Sequence, residues 1–442
     1  MGKQSYWIQA GKLTLFQRLA MLGFGVLNFY LLVRMLPQEG YGVWMLFVSV
    51  TTLIHTIREG FFKKPLIRFL GKLEGVERRR LQGSSFILNL AFAGASSLIL
   101  AVGANGLQRV WDAPGLEQLF YIYILTNCCW AVFAHYNNVQ EAHFRFIGPM
   151  TSGVLKNGVL FVGIVTYYFS NWQIDIVTLG VLDLVATGIA AVTAYWFGKG
   201  LAKRKVFWSK SWAYRLFHYG KYTLGTNISG IILRNTDSWM LAWFISPAAV
   251  AVYNVAIRVT NLFEVPTMAM ASILFPKAVK NAEVDDQAAM KELYEKSVSV
   301  IIMFVAPMAI LGIIFSDQII WVLAGEAYGE ASAVLKVTML YGLIIPFNKQ
   351  MGILLDAIGK ARLNMLFVMR NAAINATLNA LIIPMVGVMG AAYATLSTML
   401  LVFIINQIYL WRNFQVNLKN LPGYSKQYFL RLKQLALSKV PF

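Results

Sequence analysis

Charge is what this chain has least of: 13% of its 442 residues are Asp, Glu, Lys or Arg, with 20 acids against 39 bases. A soluble domain carries about a quarter of its residues as charges. Cysteine is nearly absent as well, and the two copies, Cys128 and Cys129, are neighbours inside an apolar run. They say nothing of redox compartment, and because a vicinal disulfide is rare they read as small core residues. Histidine occurs four times. His55 has no second His or Cys at metal-ligand spacing, so it reads as a hydrogen-bonded packing residue, and neither a metal site nor a cofactor is expected. The N-terminal stretch MGKQSYWIQAGKLTLFQRL lacks a small-residue cleavage site after a short apolar core, which excludes a removable signal peptide. Tyr6 stands where a myristoylation signal needs Ser or Thr.

What the chain has in abundance is apolar length. Hydrophobic residues make up 58% of it, and the mean hydropathy is +0.58. Apolar runs of roughly 20 residues recur throughout, each long enough to cross a hydrocarbon core of about 30 Å as a helix. They are continuously apolar rather than alternating, which excludes a β-barrel. The expected spans are 13–34, 42–62, 84–104, 116–138, 150–170, 174–198, 218–245, 249–276, 296–316, 331–355, 363–384 and 388–411. The fold class is therefore an all-α polytopic membrane protein with about twelve spans.

Cations set its orientation, since short cytoplasmic loops accumulate Lys and Arg. With the N-terminus inside, the even-numbered loops collect Lys63, Lys64, Arg68, Lys72 and Arg78 to Arg80, then Arg145, then Lys199, Lys203, Arg204, Lys205, Lys210 and Arg215. Lys277, Lys280, Lys291, Lys296, Lys360 and Arg362 continue the series, and Arg412, Lys419, Lys426, Arg431, Lys433 and Lys439 follow the last span. The opposite side holds Glu39, Asp112, Glu117, Asp175, Asp317, Glu326 and Glu330, with little beyond Arg34 and Arg109 to balance them. Both termini are expected in the cytoplasm. The net charge of +19 is then a topology signal with an attraction to anionic lipid, not a nucleic-acid footprint. Trp7, Trp208 and Trp212 mark the expected cytoplasmic interface, and Trp111 and Trp172 the other.

A polar segment near 199–217 falls close to the midpoint, with six spans on either side. RMLPQEGYGVW at 34–44 and WFISPAAVAVY at 243–253 echo each other, with Pro37 matching Pro247 and Trp44 matching Tyr253. The expected organisation is an N-terminal bundle over 1–208, a C-terminal bundle over 209–416 and a basic cytoplasmic tail over 417–442. Two facing halves with a substrate path between them is a common transporter plan.

Several stretches resemble the multidrug/oligosaccharidyl-lipid/polysaccharide exporter superfamily, and within it the polysaccharide transporters that move O-antigen or capsule repeat units. RMLPQEGYGVW resembles its first extracellular turn, and TDSWMLAWFISPAAVAVYNVAIRVTNL its hairpin of helices 7 and 8. Pro276 falls where the family's helix 8 ends in proline. LLDAIGKARLNMLFVMRNAAINATLNALIIPMVGVMGAAYATLSTML is similar to its Gly-Lys turn, Asn-rich helix 11 and small-residue start of helix 12. After helix 2 the family shows an acid-leucine-glycine stretch, and this chain departs with Arg58-Glu59-Gly60. The resemblance implies two six-helix bundles in a V-shaped, MATE-like fold. It implies transport of a lipid-linked oligosaccharide across the bacterial inner membrane, without enzymatic chemistry, beside the polymerase and glycosyltransferases of the same pathway.

Ionisable side chains inside spans cost roughly 2.5–3.5 kcal/mol each on insertion scales, so they face a cavity or a partner. Arg234, Arg258 and Arg370 lie well inside spans of the second half and are the leading candidates for a cationic substrate cavity. Arg18, Arg58 and Lys349 join them, although each is close enough to a span end to snorkel outward, as is Glu59. An anionic polyprenyl diphosphate suits the planar donor fork of Arg. Asp183, Asp237, Glu264 and Glu59 are the acids available to a coupling proton or sodium ion, and Asp237 follows Arg234 by one helical turn, where the two can pair. Asn371, Asn375 and Asn379 stack at i+4 for interhelical hydrogen bonds, and Gly387, Gly390, Ala391 and Ala392 suggest close helix approach. Pro346 and Pro384 are candidate hinges. Two other functions compete. A drug or cation antiporter of the same fold calls for acids to dominate the cavity, and a membrane glycosyltransferase or polymerase calls for a sizeable external loop.

Overall fold

The computed structural model describes residues 3–71, 73–170, 172–201, 207–283 and 286–438; within the helices, the side chains of 3–15, 18, 220–227, 431–433 and 435–438 lie outside the described residues. Every regular element among the described residues is helical. The chain opens with α1 (Lys3–Met35) and α2 (Gln38–Arg58), which continues through a π-helical turn (Glu59–Lys63) into α3 (Lys64–Leu70). α4 (Gly75–Val110), α5 (Leu116–Ala142), α6 (Ile147–Phe169) and α7 (Ile176–Gly198) follow. α8 (Lys210–Phe244) precedes α9 (Pro247–Thr260) and α10 (Glu264–Glu283), which are joined by a 3-10 turn at Asn261–Phe263. The remainder is α11 (Gln287–Ile314), α12 (Ser316–Ala324), α13 (Ala331–Gly342), α14 (Ile345–Ala357), α15 (Ala361–Val386), α16 (Val388–Phe414) and α17 (Leu421–Ser438).

Among the described residues nine helical stretches are long and apolar enough to cross a membrane, and α13 with α14, bent by 42°, makes a tenth. The expected spans 13–34 and 218–245 fall on α1 and α8, where part of the side chains lie outside the described residues. The protein is a multi-pass membrane protein. The span expected at 249–276 is broken by the 3-10 turn, and Pro276 lies within α10, which runs on to Glu283 instead of ending there. Membrane helices absorb such prolines because neighbouring helices re-satisfy the freed carbonyl. Pro346, by contrast, sits in the first turn of α14, where a missing N–H costs nothing, immediately after the bend.

The chain divides into two compact units, Met1–Ile231 with Ser246–Ala251, and Ile232–Ile245 with Val252–Phe442. The division falls inside α8, not in the polar stretch near 199–217. In the first unit α5 packs against α4, α7 and α3, and α6 links α7 to α1. Ala186, Ala190 and Ala194 recur at i+4 on α7 and are completely buried, as are Leu116, Leu119 and Phe120 on α5. With no water to drive association between apolar faces, such small side chains let backbones close on each other and supply the dispersion contact. Asp175 accepts from the Thr178 amide at 2.8 Å and so caps α7. Hydrogen bonds from the Thr178 side chain and then its amide hold the Asp175 carboxyl below the usual range. The two cysteines are not core residues: Cys128 is exposed and Cys129 half-buried on the outside of α5, and both are free. Trp212 is buried, its indole N–H donating to Glu77 Oε2 at 2.7 Å.

In the second unit α11 packs against α10, α13, α14 and α17, and α15 pairs with α16. Its core joins Leu274, Tyr294, Val298, Leu354, Leu355 and Leu410. Gly387 turns α15 into α16 at φ +71°, a conformation that favours glycine. A Cβ on Gly390 would lie 2.7 Å from the Ile382 carbonyl oxygen and 2.8 Å from the Ile383 Cα, so the hairpin closes only around hydrogen. Gly390→Ala is expected to destabilise the protein by about 1–3 kcal/mol. Thermal unfolding of the purified variant in detergent, followed by intrinsic tryptophan fluorescence, checks this, and an unchanged midpoint contradicts it.

Candidate functional site

The charged residues inside the helices are solvated in two ways, by an opposite charge or by neutral amides. Arg58 shows the second in the first unit. It ends α2, directly before the π-helical turn, and is 1% exposed instead of reaching the interface. Its Nη2 donates to Asn127 Oδ1, and its guanidinium lies 5.6 Å from the Phe92 ring. Asn127 is held in turn: its Nδ2 donates to Ala93 O at 3.1 Å and to the hydroxyls of Ser96 and Ser97 at 3.0 Å. No carboxylate among the described residues lies within ion-pair reach of Arg58, and its Nε and Nη1 have no partner there. Glu59, next in sequence, faces outward.

Asp183 shows the first way. Lys156 Nζ lies 3.2 Å from its Oδ1, with both side chains less than one-fifth exposed. The same ammonium sits 4.4 Å from the Trp130 ring centroid. His55 covers Trp130 at 4.1 Å and approaches the Tyr123 hydroxyl at 3.4 Å, the packing role expected for it. Lys156 is absent from the candidates read from sequence. Its position in the middle of the 150–170 run was signal enough, but nothing in the spacing links it to Asp183 on the next helix. Arg18 lies outside the described side chains.

In the second unit Asp237 is 5% exposed on α8. The pair expected between Arg234 and Asp237 does not form. Asp237 turns toward α15 and α16, accepting from Asn379 Nδ2 at 2.6 Å, from the Thr395 hydroxyl at 2.8 Å and from the hydroxyl of Tyr253. Asn375 Nδ2 donates to Thr395 at 3.1 Å, and Asn379 Nδ2 also contacts Asn375 Oδ1 at 3.1 Å. Asn379 Oδ1 is buried without a partner among the described residues. Three neutral donors already satisfy the carboxylate, so Arg234 is left exposed one turn earlier. Tyr253, the counterpart of Trp44 in the sequence echo, thus holds an acid.

Arg370 is the cation counterpart. Its Nε and Nη2 donate to Asn371 Oδ1 at 3.2 and 2.9 Å, and Nη2 reaches Asn406 Oδ1 at 3.2 Å. Asn406 donates onward to Asn348 Oδ1 at 2.9 Å. Beside Asn348, Lys349 Nζ approaches Glu264 Oε1 at 3.5 Å with both side chains about one-third exposed. Half-exposed Arg370 has no carboxylate within ion-pair reach among the described residues, whereas Lys349 and Glu264 offset each other. Arg258 is exposed near the end of α9. Elsewhere in the second unit, Asp317, Gln318, Trp321, Glu326 and Ser332 line a pocket of about 430 Å³. There a hydrogen bond from Ser332, with Lys336 nearby, holds the Asp317 carboxyl below its usual range. Among the described residues no three His, Cys, Asp or Glu side chains cluster to hold a metal ion.

This all-helical architecture, with charges solvated inside two bundles, defines a class. It has the fold of a MATE family transporter of the MOP superfamily in an inward-facing conformation, with a TM-score of 0.76 over 91% of this chain and 95% of that one at 14% identity. It matches equally the lipid II flippase MurJ in an inward closed conformation, with a TM-score of 0.77 over 98% of this chain and 94% of that one at 13% identity. The sequence model of the family described as "Polysaccharide biosynthesis protein" matches residues 31–333, and the chain belongs to that family. Relatives include the uncharacterized membrane protein MJ1068 of Methanocaldococcus jannaschii, 29% identical over 44% of this chain. The probable low-salt glycan biosynthesis flippase Agl15 of Haloferax volcanii is 28% identical over 41% of this chain. The match spans 38% of the length of each of these two relatives. The amylovoran biosynthesis protein AmsL of Erwinia amylovora is 22% identical over 64% of this chain and 72% of its own length.

The Arg58–Asn127 contact generates a test. Leaving a buried charged donor without its hydrogen-bond partner costs about 1.5–3 kcal/mol, more than replacing both groups with apolar side chains. Asn127→Leu is expected to destabilise by that amount, and Arg58→Met combined with Asn127→Leu to recover part of the loss. Thermal unfolding of the two variants in detergent checks this; equal midpoints contradict the assignment.

Proposed function

We propose that the protein is a flippase that moves a polyprenyl-diphosphate-linked oligosaccharide, the repeat unit of an O-antigen, capsule or exopolysaccharide, across the bacterial inner membrane by alternating access. The observation that carries this reading is Arg370, a guanidinium inside a membrane helix that is oriented by amide oxygens yet keeps its full positive charge. Asparagine solvates a cation without cancelling it, so the field of Arg370 stays available to an anion such as a diphosphate. Exposed Arg234 and Arg258, on helices of the same unit, add positive potential. Membership of a polysaccharide biosynthesis family and the names of Agl15 and MurJ support the same reading. No bond is made or broken: the protein lowers the crossing barrier by substituting Arg contacts for phosphate hydration, while the polyprenyl tail stays in lipid. Both termini lie in the cytoplasm, where glycosyltransferases supply the substrate, and a polymerase consumes it on the other side.

In this proposal Asp237 takes the coupling ion. Its carboxylate, the unpartnered Asn379 carbonyl oxygen, Asn375 and the Thr395 and Tyr253 hydroxyls gather oxygen around one buried negative charge. A proton or a sodium ion neutralises that charge with little rearrangement, since hard cations take oxygen ligands. Asp183 and Glu264 are each engaged with a lysine, which leaves Asp237 the better candidate.

Arg370→Ala is expected to lower transport about ten- to hundredfold, the equivalent of one lost hydrogen-bonded charge contact, and Arg370→Lys to lower it less. Proteoliposomes loaded with a fluorescent polyprenyl-diphosphate oligosaccharide, read by its accessibility to an impermeant quencher, measure this. An unchanged rate in Arg370→Ala rejects the cation role. Asp237→Asn keeps the size of the side chain and removes its charge. It is expected to leave substrate binding intact while abolishing the acceleration of transport by an imposed proton or sodium gradient. Persistence of that acceleration in the same proteoliposomes excludes Asp237 as the coupling site.

A further inference from the structure

The last helix is not one of the expected spans, and it is not a free tail. After α16 ends at Phe414, Gln415 adopts φ +54° and turns the chain back. Glu295 of α11, completely buried, then receives it: the Asn417 amide donates to Oε1 at 2.7 Å and Asn420 Nδ2 to Oε2 at 2.9 Å. Leu421 and Val416 enter the core cluster formed by Met290, Tyr294, Val298 and Phe414. Ser425 donates to Ser299 O at 3.1 Å, and Lys296 Nζ lies 5.6 Å from the Tyr424 ring. The stripe of α17 through Leu421, Tyr424 and Ser425 is thereby fixed against α11.

The opposite stripe has a different character. Lys426, Phe429 and Leu430, at i, i+3 and i+4, share one outward face, with Phe429 59% and Leu430 47% exposed. Across 421–438 the sequence carries Lys426, Arg431 and Lys433 and no acid. α17 also meets α11 at a defined level. There the charged residues Lys291, Glu292 and Lys296 give way to the apolar run that begins at Val298, which is where a membrane helix leaves the headgroups for the hydrocarbon. An exposed Phe-Leu pair flanked by lysine at that level matches an interfacial helix, which buries its apolar face at the acyl boundary and lets cations snorkel to lipid phosphates.

We propose that α17 is an interfacial helix that binds an anionic lipid surface through Lys426, Phe429 and Leu430, and that Glu295 pins it to α11 in that position. Anionic lipid fits better than zwitterionic lipid because every charged residue of the helix is a cation, and cations are drawn to such a surface.

The full chain with Cys128→Ala and Cys129→Ala tests this when an environment-sensitive fluorophore is attached through Leu430→Cys or, on the flank of the helix, through Gln427→Cys. Each protein is placed in lipid nanodiscs of phosphatidylcholine alone or with phosphatidylglycerol. The label at 430 is expected to shift to the blue, to be quenched by spin-labelled acyl chains, and to be quenched about twofold more when anionic lipid is present. The label at 427 should remain accessible to aqueous iodide. Replacing Lys426, Arg431 and Lys433 with Glu should remove the dependence on phosphatidylglycerol. Iodide access at 430 equal to that at 427 overturns the proposal. So does a shielded label at 430 that spin-labelled acyl chains fail to quench, which would mean that protein and not lipid covers the site. The readout needs no transport, so it stands or falls independently of the flippase reading.

Discussion

Hydrocarbon offers no partner to a charge, and the structure meets that constraint mainly with asparagine. Arg58 rests on Asn127, Asp237 on Asn379, and Arg370 on Asn371 and Asn406. A carboxamide presents an acceptor to a guanidinium and a donor to a carboxylate, so one residue type serves both signs. Unlike a salt bridge, it leaves the net charge in place. Lys156 with Asp183 and Lys349 with Glu264 take the other course and end neutral as pairs. The amide-solvated groups therefore keep a net charge inside the helices, and the lysine–carboxylate pairs do not.

The fold was largely legible in the sequence because a hydrocarbon crossing leaves a one-dimensional trace, a run of apolar residues of fixed length. All twelve expected spans coincide with helices or with broken helix pairs. The site was legible in residue type but not in pairing. Arg234 and Asp237 are neighbours along a helix, and spacing alone suggests that they meet. Which way Asp237 turns, however, is set by Asn379 and Thr395, about 150 residues downstream, and no periodicity encodes that contact. The pairing of Lys156 with Asp183 across helices was equally illegible, and Glu295 lies just outside an expected span. α17 leaves no such apolar trace, because Lys426, Arg431 and Lys433 interrupt any apolar run of span length.

Arg58 illustrates how local backbone geometry decides the fate of a charge. Four residues of regular helix and a snorkelling side chain would have carried it toward the interface. Instead the π-helical turn begins directly after it, and Lys63, at the far end of that turn, is the residue that pairs with an acid, at 3.1 Å from Glu141. The wide turn inserts a change of register between the two cations, and one is enclosed while the other is about one-third exposed.

The 42° bend between α13 and α14 lies next to the polar network of the second unit. At the bend the Leu343 and Ile344 amides bond back only three residues, to Leu340 and Tyr341. Asn348 and Lys349, which hold Asn406 and Glu264, lie within one turn of it. Asp356, bonded to Asn364 at the start of α15, lies near the opposite end of a 13-residue helix. A change of about 10° in the bend displaces the end of a helix of that length by about 3 Å and its first turn by less than 1 Å. A tilt of α14 about the bend would move the Asp356–Asn364 junction most and Asn348 least, so the residues that hold charge sit at the end of the helix that a given rotation displaces least.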